Sequence, residues 1–120
     1  MNKRTQFIET AVKILDKKKA VDITVLDVNG LTTLTDYFVI ATGNSKIQVQ
    51  ALVDNLEDEL AKEGYFHLHK EGYDNAEWVL LGYEEAVIHI FCKEAREFYD
   101  LELIWSDAEK VDVSDIIVEE

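Results

Sequence analysis

The chain has 120 residues and a net charge of −13, and 48% of its residues are hydrophobic. This length suits one domain with its own core, and no apolar run approaches the about 18 residues that a membrane span requires. The acidic excess disfavours direct binding of DNA or RNA through the body of the protein, because phosphates repel it. Since the single cysteine, Cys92, cannot form an internal disulfide and no signal peptide is recognisable, the sequence predicts a cytoplasmic protein.

The charge is distributed unevenly along the chain. Residues 1–20 contain six basic and two acidic side chains, whereas the remaining residues contain six basic and 23 acidic ones. An acidic body of this kind favours a basic protein partner, although acidity also serves simply to keep a protein soluble. Composition alone does not choose between these two roles.

The first half of the chain predicts a helix followed by two strands. An apolar stripe at helical spacing indicates a helix over residues 2–19. Residues 21–28 read as a strand that ends at the turn Asn29-Gly30. The β-branched and aromatic run over residues 37–41 predicts a buried strand, and we expect it to pair antiparallel with the first.

The most informative segment lies at the end of this second strand. Gly43-Asn44 both tolerate a positive φ, so we expect a sharp turn there. Ser45 and Gln48 form a capping box, in which the Ser45 hydroxyl accepts from the amide of Gln48 and the Gln48 side chain accepts from the amide of Ser45. The turn could hold a phosphate at the start of the following helix, or it could simply join two elements.

The second half of the chain predicts the rest of one sheet. The helix begun at Ser45 ends at Gly64, and the elements that follow are strands over 65–71, 78–81 and 86–91 and a helix over 93–99. The order α-β-β-α-β-β-β-α indicates an α/β fold of the mixed α+β type, with a single mixed five-stranded sheet and flanking helices. We expect one domain over residues 1–105 and an acidic, mobile tail over residues 106–120.

The sequence offers candidate residues for two kinds of chemistry. A nucleotide-binding or nucleotidyl-transferring enzyme using the Gly43-Asn44-Ser45 turn would need two carboxylates one residue apart on a neighbouring strand, to hold metal ions. The strand expected in that place, residues 66–70, carries no such pair.

A zinc site formed by His67, His69 and His89 is the other candidate, but exposed strand positions explain the first two histidines more simply. The sequence therefore predicts no enzyme, no cofactor and no metal, and Cys92 is interpreted as a small buried hydrophobe.

Several motifs occur in a characteristic order over residues 4–108. They are Asp36-Tyr37-Phe38-Val39-Ile40, Thr42-Gly43-Asn44-Ser45 with Gln48, Glu71-Gly72 with Trp78 downstream, His89-Ile90-Phe91, Arg96-Glu97-Phe98-Tyr99-Asp100-Leu101-Glu102, and Trp105-Ser106-Asp107-Ala108. Together they resemble the signature of the ribosomal silencing factors, also called the Iojap-related family. Because several spaced motifs agree in order, the resemblance is specific.

The resemblance implies a function as well as a fold. Family members resemble nucleotidyltransferases without the catalytic carboxylates. They bind a basic protein of the large ribosomal subunit, the one numbered fourteen. Docked there, they block joining of the small subunit and so repress translation when nutrients are scarce. The resemblance also implies a part in large-subunit maturation and allows a homodimer, while a dimeric scaffold with another partner is a third hypothesis.

The resemblance also assigns a partner-binding patch. Carried over to this sequence, the patch consists of Trp78, Leu80, Tyr99, Leu101, Glu102 and Trp105. If Val79 and Leu81 fill the core, the period of a strand turns Trp78 and Leu80 outward. The sequence departs from the family at Gly82, where an acidic residue is expected, and at Glu84-Glu85, where Gly-Asp is usual.

Overall fold

The computed structural model describes residues 5–117. Within them it contains α1 (Gln6–Lys17), β1 (Val21–Asp27), β2 (Tyr37–Gly43), α2 (Lys46–Lys62), β3 (His69–Glu71), β4 (Trp78–Gly82), β5 (Val87–Cys92), α3 (Lys93–Tyr99), α4 (Leu101–Ile104) and β6 (Glu109–Lys110). The predicted residues 2–4 of the first helix and 118–120 of the tail lie outside this range. None of the described helices combines the length and the apolarity that crossing a membrane requires.

All six strands belong to one mixed sheet, in the order β3-β4-β5-β2-β1-β6. The two central strands, β2 and β5, run parallel, and the other neighbours pair antiparallel. The antiparallel pairing of β1 with β2 and the hairpin of β4 and β5 are confirmed. The fold class is therefore as predicted, with six strands in place of five.

One face of the sheet is fully covered by α1 and α2. Its central side chains are completely buried, and they are Val39, Val79, Leu81, Ile88 and Ile90. Five apolar residues of α2, recurring at three- and four-residue steps, pack into this layer. Burying each such aliphatic side chain contributes about 1.5–3 kcal/mol, so this layer is the main source of stability.

The opposite face is covered only in part, by α3, α4 and the segment that follows them. Arg96 of α3 fastens this cover, because its guanidinium donates to Thr42 Oγ1 (2.9 Å) and to the carbonyl of Asp22 (2.7 Å). The ring of Trp105, just after α4, packs edge-on against Phe38 of β2 at 5.1 Å. Among residues 5–117, the cover therefore lies over β1 and β2 and leaves much of β4 open.

The strand predicted over residues 65–71 is shorter than expected and lies elsewhere. Only His69–Glu71 pairs, and it occupies the edge of the sheet, with β4 and β5 between it and β2. Phe66 and Leu68 are 68% and 67% exposed, so they do not form a core face. The expectation that this strand adjoins the Gly43 turn was wrong, because strand order depends on long-range pairing that periodicity does not encode.

The segment beyond residue 105 differs from the predicted mobile tail. Glu109–Lys110 pairs with β1, and the amide of Val111 donates to the carbonyl of Val25 at 2.8 Å. Val111 and Val113 are buried, with 5% and 6% of their surfaces exposed. Two valines at strand spacing therefore add apolar burial that offsets the acidic composition of this segment.

Candidate protein-binding site

The turn between β2 and α2 uses its polar groups internally. Ser45 Oγ accepts from the amide of Gln48 at 3.0 Å, as the capping box predicts. The Gln48 carboxamide oxygen accepts from the amide of Asn44 instead of that of Ser45, and its nitrogen donates to the carbonyl of Lys19 at 3.3 Å. The helix start is thus capped and tied to the end of α1.

The expected positive φ at Gly43-Asn44 was wrong, since neither residue is among those with a left-handed backbone. Gly43 is needed for a different reason. A Cβ at this position would lie 2.9 Å from Val49 Cγ2 and 3.1 Å from the amide nitrogen of Val49. Glycine therefore lets the first turn of α2 approach the end of β2 closely.

The three histidines do not converge on one site. The Nδ1 of His67 lies 3.7 Å from Glu57 Oε2, His69 lies on the edge strand, and His89 is buried in the centre of the sheet. Within residues 5–117, no three His, Cys, Asp or Glu side chains are grouped as metal ligands. Cys92 is a buried free thiol.

The uncovered part of the second sheet face forms an apolar surface. On the strands, Trp78, Leu80 and Val87 are half-buried, whereas Val79 and Leu81 on the opposite face are fully buried, so the predicted faces of this strand are confirmed. We define the open face by its six apolar residues: Leu34, Leu68, Trp78, Leu80, Val87 and Tyr99.

A groove of about 490 Å³ lies in the part of the open face near the Gly82 end of β4. Leu80 and Val87 line it from the strands, and Leu34 and Leu68 line it from neighbouring loops, with 87% and 67% of their surfaces exposed. Both loop leucines are solvated at the cost of ordering water around apolar surface. A groove with these four apolar side chains in its lining suits the insertion of a partner's side chain.

Acidic side chains border this groove. Glu71 and Glu84 line it together with His69. Gly82 lies on the same face, where a Cβ would make ordinary contact with His69 Cβ at 3.4 Å. The family resemblance leads one to expect an acidic residue at position 82, and this sequence has glycine there. Glu84, two residues further on, brings a carboxylate to the same groove.

The part of the open face near the Trp78 end of β4 is aromatic. The ring of Trp78 stacks on Phe91 with centroids 5.0 Å apart and lies 4.9 Å from the ring of Tyr99. Tyr99, at the end of α3, is 42% exposed. Aromatic rings of this kind supply large contact areas at small cost in side-chain entropy, which is why they often dominate interface energies.

Beneath this aromatic group lies His89 of β5. Its Nδ1 accepts the indole N–H of Trp78 at 3.0 Å, and its ring lies 4.9 Å from Phe38 in an edge-to-face arrangement. Only 4% of His89 is exposed, and this burial lowers the pKa of its imidazole to about 4. The side chain is therefore neutral at physiological pH.

Of the six residues assigned by resemblance, Trp78, Leu80 and Tyr99 lie on the open face, and the other three hold α4 in place. Leu101 is 8% exposed, and Trp105 packs on the sheet. Glu102 accepts from Nε and Nη2 of Arg96, both at 3.0 Å. These hydrogen bonds are the largest cause of the lowered pKa of the Glu102 carboxyl. A partner-binding role for all six stays a prediction.

Several exposed apolar residues lie outside the six-residue patch that the resemblance assigns. Besides Leu34 and Leu68, the α3–α4 corner exposes Phe98, Leu103 and Ile104, at 81%, 68% and 70%. The available signal was that Leu34 is an apolar residue in the linker between two predicted strands, whereas Leu68 was assigned to the face of a predicted strand. Their proximity to Leu80 follows only from the fold.

Comparisons with known proteins agree with this geometry. The family described as "Ribosomal silencing factor during starvation" matches residues 2–120. A Bacillus subtilis protein named ribosomal silencing factor is 38% identical over 113 residues, which cover 94% of this chain and 95% of that protein. A crystal structure from Bacillus halodurans superposes with a TM-score of 0.81 at 34% identity, over 92% of this chain and 100% of that one.

A more distant relative extends the comparison beyond bacteria. The mouse protein named "Mitochondrial assembly of ribosomal large subunit protein 1" is 33% identical over 102 residues, which cover 82% of this chain and 45% of that protein. Sequence and fold thus agree over nearly the whole chain. The resemblance found in the motifs is confirmed, and the chain belongs to the family of ribosomal silencing factors.

Proposed function

We propose that this protein represses translation by binding the large ribosomal subunit and blocking the joining of the small subunit. Its direct contact is the basic protein of the large subunit numbered fourteen. Family membership supports the coarse role, since the relatives are named as silencing factors of the ribosome. The observation that carries the proposal is the open face, an apolar and aromatic surface with acidic residues at its border.

The open face has the composition of a docking surface. Leu34 and Leu68 are mostly solvent-exposed beside the half-buried Leu80, and contiguous exposed apolar surface commonly marks an interaction site. Trp78 and Tyr99 offer the aromatic anchors from which interfaces draw most of their energy. Glu71 and Glu84 at the groove, on a chain of net charge −13, steer a basic partner towards it.

Repression of this kind requires occupancy and no catalytic step. The described chain measures 36 × 33 × 31 Å along its principal axes. A domain of that size, seated where the small subunit must make contact, excludes the small subunit by volume alone. We accordingly assign the protein a regulatory role, in keeping with the naming of its relatives.

The proposal also includes a part in maturation of the large subunit. It is supported by the mouse relative, whose name refers to assembly of the large subunit. Binding to a late precursor of the large subunit through the open face would let one docking surface serve both roles.

A second copy of this chain is a competing occupant of the open face, and the net charge of −13 on each copy disfavours it.

The proposal is tested by co-sedimentation with isolated ribosomal subunits. We expect the protein to pellet with large subunits and not with small ones, and to reduce the joining of the two. Binding should weaken as salt is raised, because charges more than about 10 Å apart are screened at 0.1 M ionic strength. Equal binding to both subunits, or to neither, would refute the proposal.

Matched variants locate the contact. The double variant Leu34→Ser, Leu68→Ser removes apolar surface from the open face at positions whose exposure makes a loss of stability small. The control is Ile47→Ser, which is 81% exposed at the start of α2, beyond the opposite end of β2. We expect the double variant to bind large subunits at least tenfold more weakly, a loss of about 1.4 kcal/mol or more in binding free energy. The control should bind as tightly as the wild type. Equal losses in both would remove the open face as the site, and analytical ultracentrifugation would show whether the open face instead joins two copies.

A further inference from the structure

His89 is an unusual residue for the centre of a sheet. It lies in β5 between two neighbouring strands, opposite Leu80 of β4 and Ile40 of β2, and it is 4% exposed. Its neighbours are mostly apolar, and among them are the rings of Phe38 and Phe91. A buried polar ring in such surroundings costs stability unless both of its nitrogens are satisfied.

Within the part of the chain that the structure describes, only one of the two nitrogens has a hydrogen-bond partner. Because Nδ1 accepts the indole N–H of Trp78, the proton of the neutral imidazole must reside on Nε2. Nε2 is buried and has no hydrogen-bond partner among the described residues. An unsatisfied buried donor is rare in proteins and calls for a compensating role. An aliphatic residue here would avoid the cost altogether.

The benefit of His89 lies in the orientation of Trp78. Stacking on Phe91 and contact with Tyr99 fix the plane of the indole. A planar stack does not by itself distinguish the two ring orientations related by a half-turn about the Cβ–Cγ bond. The hydrogen bond to His89 Nδ1 does, because only one of them directs the indole N–H at that nitrogen.

We propose that His89 is a positioning residue of the docking site, which holds the Trp78 ring in the single orientation that a partner meets on the open face. The proposal rests on the proposed function. It deepens that function by separating contact from preorganisation: Trp78 touches the partner, and His89 acts from beneath the surface. Binding is then tighter because the ring need not be ordered when the complex forms.

Two nearly isosteric variants separate positioning from packing. In His89→Asn an amide oxygen can take the place of Nδ1 and accept the indole N–H, whereas His89→Leu has the same branching and no acceptor. Burying an amide among aromatic rings should make the Asn variant the less stable one. The Leu variant loses the unsatisfied Nε2–H but leaves the indole N–H of Trp78 without its acceptor, so its stability should stay close to that of the wild type.

Binding should rank the two variants the other way. We expect His89→Leu to bind large subunits roughly threefold to tenfold more weakly than the wild type, the range that corresponds to one lost hydrogen bond. Per folded molecule, His89→Asn should bind within a factor of about two of the wild type, since it keeps the acceptor. In the Trp78→Phe background, which has no indole N–H, changing His89 to Leu should have no further effect on binding. A merely structural histidine would instead give binding that follows stability.

A second readout does not depend on the ribosome. The chain has two tryptophans, so the indole N–H resonance of Trp105 is an internal reference for that of Trp78. We expect the Trp78 resonance to move or broaden in His89→Leu and to be retained in His89→Asn, with Trp105 unchanged. Unchanged resonances together with unchanged binding in His89→Leu would overturn the proposal. A wild-type protein that fails to bind large subunits would instead refute the proposed function, and the resonances would then decide the positioning role alone.

Discussion

The buried neutral histidine predicts a specific pH dependence of stability. Burial lowers the pKa of His89 from 6.5 to about 4, so between these values the unfolded chain binds a proton that the folded chain does not. Stability therefore falls as the pH falls through this window, and the loss levels off below the folded pKa. From these two values, His89 alone removes about 2 kcal/mol of the free energy of unfolding between about pH 7 and pH 5.

The comparison that isolates this contribution is wild type against His89→Leu. All other ionisable groups are common to the two proteins, so their contributions cancel in the difference. We expect urea unfolding at the two pH values to show the stability of wild type falling by about 2 kcal/mol more than that of the variant. Parallel losses in both proteins would refute the reasoning, because they would mean that His89 is protonated as easily when folded as when unfolded.

Three further substitutions test other parts of the structure. Ser45→Ala removes the cap of α2 and should cost about 1 kcal/mol in chemical denaturation, while large-subunit binding per folded molecule stays intact; loss of binding by a stable variant would make the turn a contact site. Gly43→Ala places a Cβ 2.9 Å from Val49 Cγ2 and should destabilise by about 1–3 kcal/mol, seen as a lower melting temperature; an unchanged melting temperature would show that α2 can shift freely. The hydroxyl of Tyr83 is buried without a hydrogen-bond partner among the described residues. Tyr83→Phe should therefore leave the free energy of unfolding unchanged or raise it by about 1 kcal/mol. A fall in that free energy would reveal a hydrogen bond to the hydroxyl.

The sequence by itself determined the elements whose signals are local. The cap at Ser45, the extent of α2, the β4–β5 hairpin and the inward orientation of Val79 and Leu81 all follow from spacing over a few residues. Each depends on contacts between near neighbours in the chain, which periodicity and capping encode directly. The motif order also sufficed for the family, since it needs no knowledge of packing.

The tertiary structure alone decided how those elements make a surface. It placed β3 at the edge of the sheet, added β6 beside β1, and tied Glu102 to Arg96 where the resemblance suggested a contact. It brought Leu34 and Leu68 together over Leu80, and it set His89 beneath Trp78. These arrangements join residues far apart in the chain, and they depend on the order of the strands and on the layers that cover each face of the sheet. A short window of sequence contains neither, so exposure and partnership emerge only when the whole sheet is assembled.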